Sequence, residues 1–144
     1  AASAVLIMSK KKCEAFGLTP KLTFIDATSA GVDPNLAGIG PIPAVQKLLN
    51  RTKLTINDID LIEFNEAFAS QVLATTRALQ IPHEKLNIGG GAIALGHPYG
   101  ASGAILVTRL CQEMQRTKVK RGLATLGIGG GLGLATLFER YDDS

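Results

Sequence analysis

The stretch that most constrains this chain is Asn87 to Ser102, NIGGGAIALGHPYGAS, which holds five of the sixteen glycines and one of only two histidines. Glycines this dense mark backbone that turns with positive φ or comes close to another segment. Pro98 directly follows His97 and steers it away from the α region toward an extended conformation. Beyond it, Ala101 to Met114 is largely apolar and free of Gly and Pro after Gly103. That run predicts a helix with little polar surface, central in the fold. A glycine-supported loop thus presents an imidazole just before a buried helix. Imidazole is the side chain suited to proton traffic near pH 7, so His97 is a candidate catalytic residue. The plainer alternative is a hydrogen-bonded histidine packed at a helix start.

The remainder reads as alternating strands and helices, which makes the fold class α/β with a mixed sheet. Ala4 to Ser9 predicts a buried strand, Lys10 to Phe16 a short helix stopped by Gly17, and Leu22 to Ala30 a β-branched, alternating strand. Gly31 to Pro43 consists almost wholly of turn residues and leads into a helix over Ala44 to Asn50. A turn at Thr55 to Asp58 precedes a strand at Asp60 to Phe64. Asn65-Glu66-Ala67-Phe68 then opens a helix to about Leu79, with Asn65 as its N-cap and Glu66 favouring its dipole. Leu86 to Ile88 predicts a strand running into the glycine stretch. Gly122 to Leu126 and Leu132 to Tyr141, split by glycines, predict a closing hairpin. The chain starts without Met and runs at once into apolar residues, which reads as a piece of a longer polypeptide.

Composition removes several functions. Aromatics make up 5 % of the chain and tryptophan is absent, so the stacking platforms of single-strand nucleic-acid binders are not expected. The net charge of +3 is mild, and the short Lys10–Lys12 and Lys118–Arg121 clusters read as solvated surface. Cys13 and Cys111 stand far apart with no Cys/His ligand spacing, so no metal site is expected and both read as reduced packing residues. No apolar run reaches the ~18 residues of a membrane span, and no secretory signal shows. The expected compartment is the cytoplasm, with an organelle left open.

Gly89 to Ala94 satisfies G-x-G-x-x-A, the relaxed dinucleotide fingerprint. That fingerprint needs a helix opening directly on the glycines. Here the helix is expected only after Pro98, and Glu113, the acid about twenty residues on, falls inside a helix. A nicotinamide enzyme is therefore disfavoured.

Four segments in order, Gly31 to Pro43, Asn65-Glu66-Ala67-Phe68, Gly89 to Gly103 and Gly122 to Gly133, resemble the signature segments of the thiolases, the acetyl-CoA acetyltransferases. The resemblance covers essentially the whole chain, residues 1–144, as a thiolase C-terminal domain. It implies one of two similar α/β halves, each a mixed sheet between helices. It also implies acyl-CoA and CoA as substrates, no separate cofactor, an N-terminal half as partner, and a homo-oligomer. A cysteine of that N-terminal half takes the acyl group as a thioester; neither Cys13 nor Cys111 matches it.

By position, the resemblance gives His97 the task of activating that nucleophile and helping to form an oxyanion hole. Asn65 would hold a water completing the hole, the backbone N–H of Gly129 would serve a second hole, and Ala67 and Phe68 would line the acyl and pantetheine pocket. One departure is chemical. Thiolases read C-I-G-G-G in the last segment, where the cysteine abstracts the α-proton, whereas this chain has Gly127. A related branch carries its acid/base cysteine within the NEAF segment; here that segment offers only Ala67. Three readings follow: half of an acyltransferase weakened at Gly127, a non-condensing relative that binds CoA thioesters or assembles with partners, or a purely structural half.

Overall fold

A computed structural model describes residues 1–142. Nine regular elements carry the fold: α1 (Lys10–Ala15), β1 (Leu22–Gly31), α2 (Pro41–Thr52), β2 (Leu61–Phe64), α3 (Ala69–Leu79), α4 (Ala92–Leu95), α5 (Ser102–Thr117), β3 (Arg121–Ile128) and β4 (Leu132–Arg140). Short 3-10 turns at Pro34–Ile39, Ile56–Asp58, His83–Lys85, Tyr99–Ala101 and Gly129–Gly131 link them. The four strands form one sheet in the order β1-β4-β3-β2. β1 and β3 each run antiparallel to β4, while β2 runs parallel to β3. The expected mixed sheet and closing hairpin are both present.

Helices cover both faces. Val45, Leu48 and Leu49 of α2 pack with Leu79 of α3 and with Ile62, Phe64, Leu123 and Leu137 of the sheet. On the other face, Leu106, Leu110 and Met114 of α5 pack on Leu61 and Ala124. Alternation along the strands produces this division: Ile62 and Phe64 point to one layer, Leu61 and Glu63 to the other. α2 starts with Pro41 at its first turn, a start that the proline-rich entry favours, and ends on Lys53 in the left-handed region (φ 56°).

Glycines set the fit between the loop Pro34–Ile39 and the hairpin. A Cβ on Gly133 would lie 2.0 Å from the Gly40 carbonyl oxygen, and one on Gly40 would lie 2.9 Å from the Gly133 nitrogen. Two backbones therefore meet where only hydrogen atoms fit. The glycine-rich loop and the glycine-rich hairpin, far apart in sequence, are two sides of one contact.

Several elements differ from expectation. Residues 4–9 form no strand; Leu6 and Ile7 are 80 % and 84 % exposed, and no strand among the described residues pairs with them. Leu86 makes a single parallel bridge to Ile62 rather than a strand. α5 buries Ser102, Leu106, Leu110 and Met114, a stripe at four-residue spacing rather than a surface buried all round. Asn65 is not a helix cap: its backbone N–H donates to the Thr125 carbonyl at 3.0 Å, extending β2, and α3 is capped by Phe68. The parallel partner strand outcompetes the capping role there.

Candidate functional site

The carboxyl ends of the parallel pair β2 and β3 lie on one edge of the sheet, the edge where α/β folds commonly place ligands. Asn65 follows β2 there; Gly127 is the last residue but one of β3, and Gly129 follows in the turn. The loop after α4 brings His97 to the same edge. Its Nε2 lies 3.3 Å from the Asn65 amide nitrogen and its Nδ1 lies 2.7 Å from the Ser102 hydroxyl. As the amide is oriented, the Asn65 nitrogen can only donate, so Nε2 accepts and Nδ1–H donates to Ser102. Nε2 is then the lone-pair nitrogen, ready to take a proton and, once protonated, to donate toward an oxygen. The ring of Tyr99 meets the imidazole edge-on, with centroids 4.8 Å apart.

Asn87 and Glu66, the latter expected from sequence to favour the dipole of α3, build the support. Asn87 donates from its amide nitrogen to the Phe64 carbonyl at 3.0 Å and accepts the Phe64 N–H at 2.8 Å, pairing like a strand residue. The same amide nitrogen donates to Glu66 Oε1 at 2.7 Å, and Glu66 Oε2 accepts the Ile93 N–H at 3.0 Å. Glu66 therefore caps α4, not α3. α4 opens directly on the glycines, contrary to the delayed helix expected from sequence, yet the dinucleotide reading stays disfavoured. The Glu66 carboxylate fills the space beside Gly91, where a Cβ would come within 2.2 Å of it. An anionic pyrophosphate would meet a negative charge at that helix end.

Glu63, 2 % exposed on β2, pairs with Arg109 of α5 through Oε2 and Nε at 3.1 Å. Burial raises its pKa from 4.5 to about 7, opposed by the Arg109 charge and hydrogen bond and reinforced by Glu113 and Glu66. The folded chain thus binds this proton more tightly than the unfolded chain does. Its stabilising contribution is complete below pH 4.5 and is lost as pH rises through about 7. The shift corresponds to roughly 3 kcal/mol. Thermal midpoints followed from pH 4.5 to 8 are expected to fall less steeply for Glu63→Gln than for the native chain. Parallel curves for the two would rule this out.

Phe68, 71 % exposed, lines a cavity of about 270 Å³ with Leu36, Ile39, Gln71 and Ala74. Ala67 is half-buried and is not part of that lining. Gln71 is 6 % exposed and its Oε1 has no hydrogen-bond partner. Gly127 stands beside it: a Cβ there would come 3.0 Å from Gln71 Nε2. Gly129 is exposed, with nothing within 4 Å of the Cβ direction. Among the described residues no hydrogen bond joins His97 to Gly127 or Gly129, so the edge carries two groupings, His97–Asn65–Ser102 and Gly127–Gln71–Phe68. Cys13 is buried on α1. Cys111 is half-buried on α5, where burial raises its thiol pKa. Neither belongs to either grouping.

Among the described residues there is no cluster of three or more His, Cys, Asp or Glu that could hold a metal ion, and no helix long and apolar enough to cross a membrane.

Comparison with known proteins identifies the family. The chain is 52 % identical over 141 residues to an acetyl-CoA acetyltransferase of Syntrophomonas wolfei, covering 96 % of this chain and 36 % of the relative. It is 48 % identical over 139 residues to an acetyl-CoA acetyltransferase of Cupriavidus necator, covering 96 % and 35 %. Its fold superimposes on the crystal structure of the Bacillus anthracis acetyl-CoA acetyltransferase with a TM-score of 0.91 at 41 % identity, covering 93 % of this chain and 34 % of that one. The chain therefore spans about a third of the length of these relatives. Residues 18–140 match the thiolase C-terminal domain, and the chain belongs to the thiolase family.

Proposed function

We propose that this chain is the C-terminal half of an acetyl-CoA C-acetyltransferase-type enzyme, acting with an N-terminal half that carries the nucleophilic cysteine. The observation behind this reading is the His97–Asn65–Ser102 grouping at the carboxyl ends of β2 and β3, with Nε2 facing the Asn65 amide and Nδ1 held by Ser102. In thiolysis that nitrogen takes the proton of the partner's cysteine. The thiolate attacks the β-carbonyl of acetoacetyl-CoA, and the bond between that carbon and the α-carbon breaks. An acetyl thioester stays on the cysteine while acetyl-CoA leaves as its enolate, which must gain a proton at the α-carbon. CoA then accepts the acetyl group and regenerates the thiol. His97 and a water held by Asn65 stabilise the thioester oxygen, and the Gly129 N–H serves the second carbonyl. Phe68 and its cavity receive the apolar part of the substrate.

The α-proton is the weak point. Family chemistry supplies a cysteine at position 127, and Gly127 has no titratable group. That absence favours a second reading, a relative that binds CoA thioesters without condensing them. Under either reading the chain alone has no nucleophile at its site. Purified alone, it is expected to cleave no acetoacetyl-CoA beyond a buffer control. Cleavage above that control would place a nucleophile within these residues and overturn the proposed division of labour.

A further inference from the structure

We propose that Arg109 and Glu63 are a positioning pair that fixes the loop presenting His97. The proposal rests on the reading of His97 as the working imidazole. Arg109 reaches from α5 to the carboxylate of Glu63 on β2, and its Nη2 donates to the carbonyl of Gly90. One guanidinium therefore ties a helix and a strand to the turn from which the His97 segment departs. Between Gly90 and His97 lie only Gly91, the single turn of α4 and Gly96. The beginning of that turn is held from the other side, by Glu66 on the Ile93 N–H. A cavity of about 30 Å³ lies between the ion pair and the loop, with Glu63, Arg109, Asn65, Gly96, Pro98 and Ser102 among its walls. The pair and both hydrogen-bond partners of His97 thus border the same small space.

The chemistry explains why an ion pair stands here. A buried pair adds little to stability over well-packed apolar residues of similar volume. What it supplies is direction. The planar, five-donor guanidinium can bond a carboxylate and a carbonyl at once, at fixed angles. A lysine keeps the charge but is a point donor on a flexible stem, and cannot hold Glu63 and Gly90 in the same way.

The test uses the full chain with Arg109→Lys, Arg109→Met and Glu63→Gln. It follows amide hydrogen exchange over residues 90–96, the ¹⁵N shifts of the His97 ring and the thermal midpoint. Arg109→Lys is expected to stay folded with a near-native midpoint, while amides of residues 90–96 exchange roughly tenfold faster or more and the His97 shifts move. Glu63→Gln, whose amide oxygen still accepts from Arg109, is expected to keep both readouts close to native. Native exchange and native His97 shifts in Arg109→Lys would overturn the proposal, as would an acceleration spread evenly over the chain. The readouts need no substrate. A loosened loop in a protein that transfers no acyl group would sink the functional reading alone, and an unmoved loop in an active enzyme would sink the positioning role alone.

Discussion

Gly127→Cys is expected to raise acetoacetyl-CoA thiolysis by roughly 10²–10⁴-fold in a polypeptide joining this chain to a nucleophile-bearing half. The range is the usual worth of a positioned proton donor or acceptor, and Gly127 offers no titratable side chain. The backbone allows the change, since Gly127 does not lie in the left-handed region. Among the described residues the close neighbour of its Cβ would be the far end of the Gln71 side chain, at 3.0 Å, with the Ala37 carbonyl next at 3.8 Å. A flexible amide that moves by a few tenths of an ångström accommodates it. Gln71 Oε1 has no partner at present, and a thiol is a weak donor that would stand close by. An unchanged rate in a folded Gly127→Cys protein would mean that another group moves the proton.

His97→Ala, tested in the Gly127→Cys background, is expected to cost a comparable ~10²–10⁴ in turnover. Under the proposed function two roles leave together: the base for the partner's cysteine and the donor to the thioester oxygen. The loss should fall mainly on kcat, since the imidazole acts on charge that develops during reaction. Removing the ring also strands Asn65 and Ser102, each 3 % exposed. A destabilisation of about 1–3 kcal/mol is therefore expected beside the kinetic loss. Asn65→Ala offers a separation of the two. It leaves the Ser102 hydrogen bond to His97 in place, so its kinetic cost should be the smaller. A His97→Ala enzyme with native kcat would remove the imidazole from the chemistry.

The contrast between what sequence carried and what it did not has a physical origin. β1, the β3–β4 hairpin and the mixed sheet follow from alternation and turn residues, which are local. α2 follows from a proline entry and one apolar face. The apolar run at residues 4–9 reads as a strand by the same rules, yet strand formation needs a neighbouring edge, and local pattern carries no information about one. Asn65 shows the same limit. Asn followed by Glu before an apolar run has the look of a helix start, but the Thr125 carbonyl, sixty residues away, claims its N–H.

His97 was legible because glycine density and Pro98 set it apart, and the family resemblance added Asn65, Phe68, Gly127 and Gly129. Ser102 lies five residues after His97 and had a weak signal as a polar residue opening an apolar helix. Glu66 and Asn87 stood in stretches that drew attention, but Glu66 pointed to the wrong helix and Asn87 to no partner, while Glu63 and Arg109 had no signal beyond ordinary patterning. Their pairings cross 46 positions for Arg109 with Glu63 and 21 for Asn87 with Glu66. Only the fold brings them together. The one cue available in hindsight is Glu63 inside a four-residue strand whose every position is buried, since a buried carboxylate needs a partner.

The most direct test of the account is CoA-dependent cleavage of acetoacetyl-CoA by the joined polypeptide carrying Gly127→Cys, with His97 intact and with His97→Ala. Turnover is expected with His97 present, and a fall of at least ~10² without it. Equal turnover in the two proteins would contradict the claim that this chain supplies the imidazole of the acyl-transfer site.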